Sequence, residues 1–294
     1  MGITASQVKE LRDMTGAGMM DCKKALTETD GDIDKAVDWL RENGIAKSAK
    51  KAGRIAAEGL SRVAVEGKTA VVFEVNSETD FVAKNEQFLE LLDKIQKALF
   101  ASKPSNMDEA LKAECDGETL EALITNATAT IGEKITLRRF EIVEAKDDET
   151  FGCYMHNGGK ISALSIMKGG DEAFAKNIAM QIASMAPEFV SREDMPSEYV
   201  EHERSVQSEI MKNDESLAGK PEKVLAGILE GKISKALQDV CLIEQVYFLD
   251  PKKKVKAELK ENNAECVKFV RYVVGEGIEK RQENFAEEVA AQMK

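Results

Sequence analysis

The chain has 294 residues, long enough for two or three units that each bury a core. A formal net charge of -12 and a pI near 5.0 argue against a surface built to coat nucleic acid, and 43% hydrophobic residues argue against disorder. No apolar run approaches the roughly 18 residues of a membrane span, and MGITASQVKELRD lacks the charged and apolar regions of a secretory signal, so a soluble, cytoplasmic protein is expected.

The first helix opens on the capping pattern Thr4-x-x-Gln7 and carries Val8 and Leu11 on one face. After a turn at Thr15-Gly16-Ala17-Gly18, a second helix holds Met19, Met20, Cys22, Ala25 and Leu26. A third runs from about Asp32 through Ile33, Val37 and Leu40 and stops at Asn43-Gly44. Such a bundle is too small to house chemistry, which makes it a binding module. Met19 and Met20 are adjacent, so one helical face cannot bury both, and one of them is expected at the surface as an adaptable apolar contact or a loose core filler. Lys47 to Arg54, KSAKKAGR, reads as a solvated basic linker.

LSRVAVEG and TAVVFEV then form a hairpin around Glu66-Gly67-Lys68. The stretch Val71 to Phe88, VVFEVNSETDFVAKNEQF, changes from strand to helix periodicity in its middle. Val71, Val72, Phe73 and Val75 suit a strand, and Asn76-Ser77 interrupts it. Thr79 is placed to cap a helix whose stripe is Phe88, Leu91, Leu92, Ile95 and Leu99. Asp80 and Phe81 then stand at its start. Periodicity makes Phe81 the first core residue of the stripe, seven positions before Phe88, and makes Asp80 a first-turn acid favoured by the helix dipole. The other reading is a probe, a ring that inserts into another molecule beside an acid that fixes its position.

A polar connection with a short helical stretch (Lys103 to Glu118), an apolar helix (Leu120 to Ile131) and the strand KITLRRFEIV complete an α+β unit with an antiparallel sheet. The plan recurs: two strands surround His156-Asn157-Gly158-Gly159, and a helix runs from Glu172 through Phe174, Ile178 and Ile182. A shift of 92 residues places VAKNEQF over FAKNIAM and suggests a duplicated core. Between Pro187 and Gln238, two amphipathic segments flank NDESLAGKP as an antiparallel helical hairpin, and the stripe of the first is thin enough that a partner could be needed. Val240 to Leu249 reads as a strand ended by Asp250-Pro251. A short helix near Val255 to Glu261, a strand from Val267 to Val274 and a last helix with Phe285 and Val289 follow.

The five cysteines are dispersed without C-x-x-C, which offers neither a disulfide framework nor a zinc site. His156 and His202 are the only histidines, and no nucleophile elbow, Walker loop or dinucleotide fingerprint occurs. An enzyme is disfavoured, and no cofactor or metal is expected. From the residues alone, the rival to a dedicated partner-binding protein is a generic adaptor.

LRDMTGAGMMDCKKAL (Leu11 to Leu26) and EVNSETDFVAKN (Glu74 to Asn85) together resemble the bacterial translation elongation factor Ts family, in order and in separation. IGEKITLRR, YMHNGGKI and VGEGIEK extend the likeness over nearly the whole chain. Glu78 stands where Gln is common, adding a negative charge beside Asp80, and Lys160 stands where Arg is common. The resemblance implies a guanine nucleotide exchange factor without covalent chemistry of its own. It would bind elongation factor Tu, GDP-bound or nucleotide-free, and promote GDP release by perturbing the Mg²⁺ and phosphate site so that GTP can rebind. It implies a ubiquitin-associated-like three-helix domain at 1–54 and an α+β core of two subdomains, 55–143 and 144–186 with 239–264. A coiled-coil hairpin at 187–238 supports dimerisation in some members, and a strand and helix module occupies 265–294. Carried onto this chain, Arg12, Met19, Met20, Lys23, Asp80, Phe81 and His156 would touch the partner. Thr79, Asp80, Phe81 and Val82 would form the region that displaces Mg²⁺. No membrane and no direct nucleic acid contact is expected, and homodimerisation through the hairpin is left open.

Overall fold

A computed structural model describes residues 3–279; the last helix expected around Phe285 and Val289 lies outside the described residues. The chain divides into two units. One comprises the described parts of Met1–Val143, Asn157–Ile161 and Tyr272–Lys294, and the other Glu144–His156 and Ser162–Arg271.

The first unit opens with α1 (Ala5–Thr15), α2 (Met19–Glu28) and α3 (Ile33–Lys51). Thr4 and Gln7 make the expected capping box, and Gly16 ends α1 in the left-handed region. Val8, Leu11, Cys22, Ala25, Leu26 and Ala36 close a small core of their own. The expected stop at Asn43-Gly44 does not occur: α3 continues through the first part of the anticipated linker to Lys51. Gly44 is buried there, with the position of an ideal Cβ 3.4 Å from the Cβ of Ala129. The small residue that reads as a helix breaker is a place of close helix approach.

The hairpin is β1 (Glu58–Glu66) and β2 (Thr69–Ser77), antiparallel from Glu58 opposite Ser77 to Glu66 opposite Thr69. After a loop and one 3₁₀ turn, Val82–Lys84, come α4 (Glu86–Ser102) and α5 (Met107–Lys112). The small ribbon β3 (Glu114–Cys115) with β4 (Glu118–Thr119), too short to leave a periodic signal, precedes α6 (Leu120–Ile131) and β5 (Thr136–Glu144). The sheet order is β1-β2-β5. Phe73, Phe88, Leu92, Ile95, Leu99 and Leu120 are the large side chains buried between this sheet and α4 and α6.

In the second unit β6 (Glu149–His156) and β7 (Ile161–Lys168) lead to α7 (Glu172–Met185), and β10 (Glu265–Val273) joins the sheet in the order β10-β7-β6. Between them lie α8 (Ser197–Lys212), α9 (Glu222–Asp239), the ribbon β8 (Val246–Tyr247) with β9 (Asp250–Lys254), and α10 (Val255–Glu261). The strand expected over Val240 to Leu249 shrinks to two residues, because a 3₁₀ turn at Leu242–Glu244 precedes it. Buried Gln245 ties this segment down, donating to the carbonyls of Met185 (3.0 Å) and Asp239 (2.7 Å). Asp250-Pro251 opens the next strand rather than ending one, as Pro tolerates at the start of an edge strand. α8 packs on α9, with Arg204 paired to Glu230, yet α8 buries no residue fully and Val206, Ile210 and Val224 remain exposed.

All five cysteines are free thiols. Burial pushes Cys153 up to about 11 and Cys266 up to about 12, so neither is a thiolate at neutral pH. Among the described residues no helix is long and apolar enough to cross a membrane.

Candidate functional site

β2 is buried along its whole length, and the chain leaves it at Ser77 to make a sharp excursion. The excursion does not begin a helix at Thr79. Asn85 is the N-cap of α4, its side chain accepting from the N–H of Gln87 (2.8 Å) and Phe88 (3.4 Å). Asp80 is therefore not a first-turn acid. Phe81 is 82% exposed, whereas Val82 and Ala83 beside it are buried in the sheet–helix core. The ring stands at the tip of a turn whose next two residues anchor it.

The turn is held from the connection between α6 and β5. Gly132 terminates α6 with φ 90° and brings Glu133 and Lys134 under the loop. The Glu133 carboxylate accepts from the backbone N–H of Glu78 (3.1 Å) and Thr79 (2.9 Å) and from the Thr79 hydroxyl (2.6 Å). In return the Glu78 carboxylate accepts from the N–H of Lys134 at 2.6 Å and from the Arg54 guanidinium at 3.2 and 3.3 Å. Glu78 therefore does not add the free negative charge beside Asp80 that the sequence suggested, because the Arg54 guanidinium pairs with it. Asp80 and Phe81 border a groove with Arg54, Ile55, Glu58 and Lys160, in which Lys160 pairs with Glu58 at 2.8 Å.

The structure thus brings Thr79, Asp80, Phe81 and Val82 into one turn. Thr79 is a clamp rather than a cap, and Val82 is an anchor. Arg12, Met19, Met20 and Lys23 lie exposed on α1 and α2. Both methionines, not one, face solvent, Met19 at 47% and Met20 at 75%, and Met14 joins them. The reason is local: Cys22, Ala25 and Leu26 already supply the buried face of α2. Gly16, in the turn before them, lies against Gln87 in the first turn of α4 and Thr130 on α6. His156 belongs to the second unit, at the end of β6, with Nδ1 3.1 Å from the Tyr154 hydroxyl and exposed Met155 between them in sequence.

Sequence reasoning missed Glu133 and Arg54 as partners of the turn. The signal for the first was the IGEKITLRR stretch, whose Gly-Glu-Lys makes the clamping connection. It also missed the ion cluster at Glu74, which is wholly buried. The Glu74 carboxylate accepts from Arg138 (3.0 Å), Arg139 (2.6 Å), Asn76 (2.9 Å) and the N–H of Gly275 (2.8 Å). Burial alone would raise its pKa, but these donors outweigh burial and the net shift is downward.

The turn clamped by Glu133 and anchored by Val82 and Ala83 presents an exposed ring and acid at the end of β2, an arrangement suited to protein recognition. A family model described as Elongation factor TS matches residues 78–276, more than half of the chain, from the clamped turn to the segment that reaches Glu74. The chain belongs to the elongation factor Ts family.

Proposed function

We propose that this chain, as its family implies, is a nucleotide exchange factor of translation elongation that binds elongation factor Tu in its GDP form and speeds GDP release by disturbing the partner's Mg²⁺ and phosphate site. Phe81 acts as the wedge, Asp80 is the polar group beside it, and no covalent step is carried by the chain. The observation that carries this reading is the exposure of Phe81 on a turn fixed by Glu133 and anchored by Val82 and Ala83. An exposed aromatic that costs little entropy to present is the usual form of an interface anchor. Arg12, Met19, Met20 and Lys23 would add a second contact, adaptable through the methionines, and His156 a third.

Exchange of this kind is negative coupling between two ligands of one GTPase. Whatever the factor does to GDP affinity, GDP does equally to the factor's affinity. A ~10³-fold acceleration requires about 4 kcal/mol off the release barrier, within reach of a few buried apolar anchors. Stopped-flow release of a fluorescent GDP from elongation factor Tu tests the assignment. Phe81→Ala is expected to slow release at least about tenfold with an unchanged melting temperature. Unaltered release would remove the wedge role, and binding without any acceleration by the wild-type chain would make it an adaptor.

Two readings of architecture accompany this one. The shared order of hairpin, helix and added third strand, with the hairpin's second strand central in both sheets, supports a duplicated core. The 92-residue register does not: Ala83–Asn85 precede α4, whereas Ala175–Asn177 lie inside α7. The uncovered apolar residues of α8 and α9 support homodimerisation through the hairpin, which sedimentation of the chain with and without that segment would test.

A further inference from the structure

Four residues separate the end of β2 from the buried pair Val82-Ala83, and the first two of them commit two backbone N–H groups and a hydroxyl to one carboxylate. We propose that Glu133 is the positioning residue of the exchange site: its carboxylate sets the turn so that Asp80 and Phe81 meet the partner in one prearranged orientation. This rests on the exchange reading of Phe81. A carboxylate accepting several N–H bonds is among the stronger polar restraints available to a loop. Without it, Glu78 and Thr79 would have to be ordered on the way to the release step, after the partner is already held through other contacts, and each backbone residue ordered at that stage costs about tenfold in the limiting rate.

The restraint is reciprocal. Lys134 donates its N–H to Glu78 at 2.6 Å and its ammonium to the Arg54 carbonyl at 2.8 Å, while the Arg54 guanidinium returns to Glu78. The Gly132-Glu133-Lys134 connection and the Glu78-Thr79 step therefore hold each other through both backbones. Glu133 itself acts only through the turn. Its removal should reduce what the tip does after docking more than it reduces docking.

The test measures GDP release from elongation factor Tu over a range of full-chain concentrations, giving a limiting rate and a half-saturating concentration for each variant. Glu133→Ala should lower the limiting rate about tenfold while moving half-saturation much less. Glu133→Gln, which keeps one carbonyl oxygen for the two N–H groups and an amide toward the Thr79 hydroxyl, should recover most of the loss. In an Asp80→Ala/Phe81→Ala background, adding Glu133→Ala should change the rate by less than about twofold, since nothing remains to be positioned. A wild-type limiting rate for Glu133→Ala, or a full further loss in that background, would overturn the positioning role. If wild-type chain fails to accelerate release, the exchange reading falls and this role with it. If wild type is active and Phe81→Ala slow while Glu133→Ala is not, the positioning role alone fails. Should Glu133→Ala not fold, Thr79→Val enters the same comparison, with a loss of about threefold and the same absence of further effect expected. A wild-type rate would then overturn the proposal.

Discussion

Phe81 and Phe88 stand seven positions apart, yet one is 82% exposed and the other fully buried. A single helix would have put both on one face. What separates them is Asn85, whose side chain takes up the first free N–H groups of α4 and starts the helix after Phe81 has passed. Gly59 shows the opposite kind of residue-level demand. Its φ is +118°, and an ideal Cβ would lie 2.1 Å from the carbonyl oxygen of Val75 on the paired strand. Gly59→Ala combines backbone strain with a backbone collision that no side-chain rotation relieves. It is expected to destabilise the first unit by about 3 kcal/mol or more, read from the urea midpoint. A wild-type midpoint would show that the strand pair can part there without cost.

At the scale of elements, the local start signals were legible and the interruptions were not. Thr4-x-x-Gln7 announced α1 because a capping box is a contact between near neighbours. Thr79 offered an equally good local signal and was diverted by Glu133, more than fifty positions away, which no window around Thr79 contains. Asn85→Ala should therefore cost about 1 kcal/mol through loss of the α4 cap. Thr79→Ala should leave α4 intact, and protection of the Gln87 and Phe88 amides from hydrogen exchange separates the two outcomes. Gly44 follows the same logic. By propensity it ends a helix, and packing against Ala129 carries α3 onward because a closely approached helix needs a small residue there.

At the scale of the whole molecule, Glu74 links segments remote in sequence within the first unit. Arg138 and Arg139 reach it from β5, and the N–H of Gly275 reaches it from the segment that follows β10. Arg139 also stacks on Tyr272, 4.2 Å from the ring centre, and donates to the Val273 carbonyl at 3.0 Å. The folded pKa of Glu74 lies below its ordinary value of 4.5, so between those two values the unfolded chain binds more protons. The stabilisation is fully present above pH 4.5 and is lost as pH falls through the folded value. Glu74→Gln is expected to cost about 3 kcal/mol at pH 7 and to flatten the decline below pH 4.5 relative to wild type. Urea midpoints from neutral to acid pH check it, and parallel curves for the two proteins would deny Glu74 this part of the acid response.

The sequence by itself determined the α+β class, the Val71 to Phe88 change of period, the three N-terminal helices and, through its signature stretches, the family. These rest on periodicity and on contacts a few residues apart, which a linear string records. The tertiary structure decided between the two readings of Phe81 in favour of exposure, and it alone decided that both Met19 and Met20 face outward, that Glu133 grips the turn and that Glu74 gathers three segments. The grips of Glu133 and Glu74 depend on which distant group satisfies a polar atom, which distance along the chain does not record; the exposure of Phe81 and of the two methionines depends on which of several near neighbours takes the cap or the buried face, which periodicity does not rank.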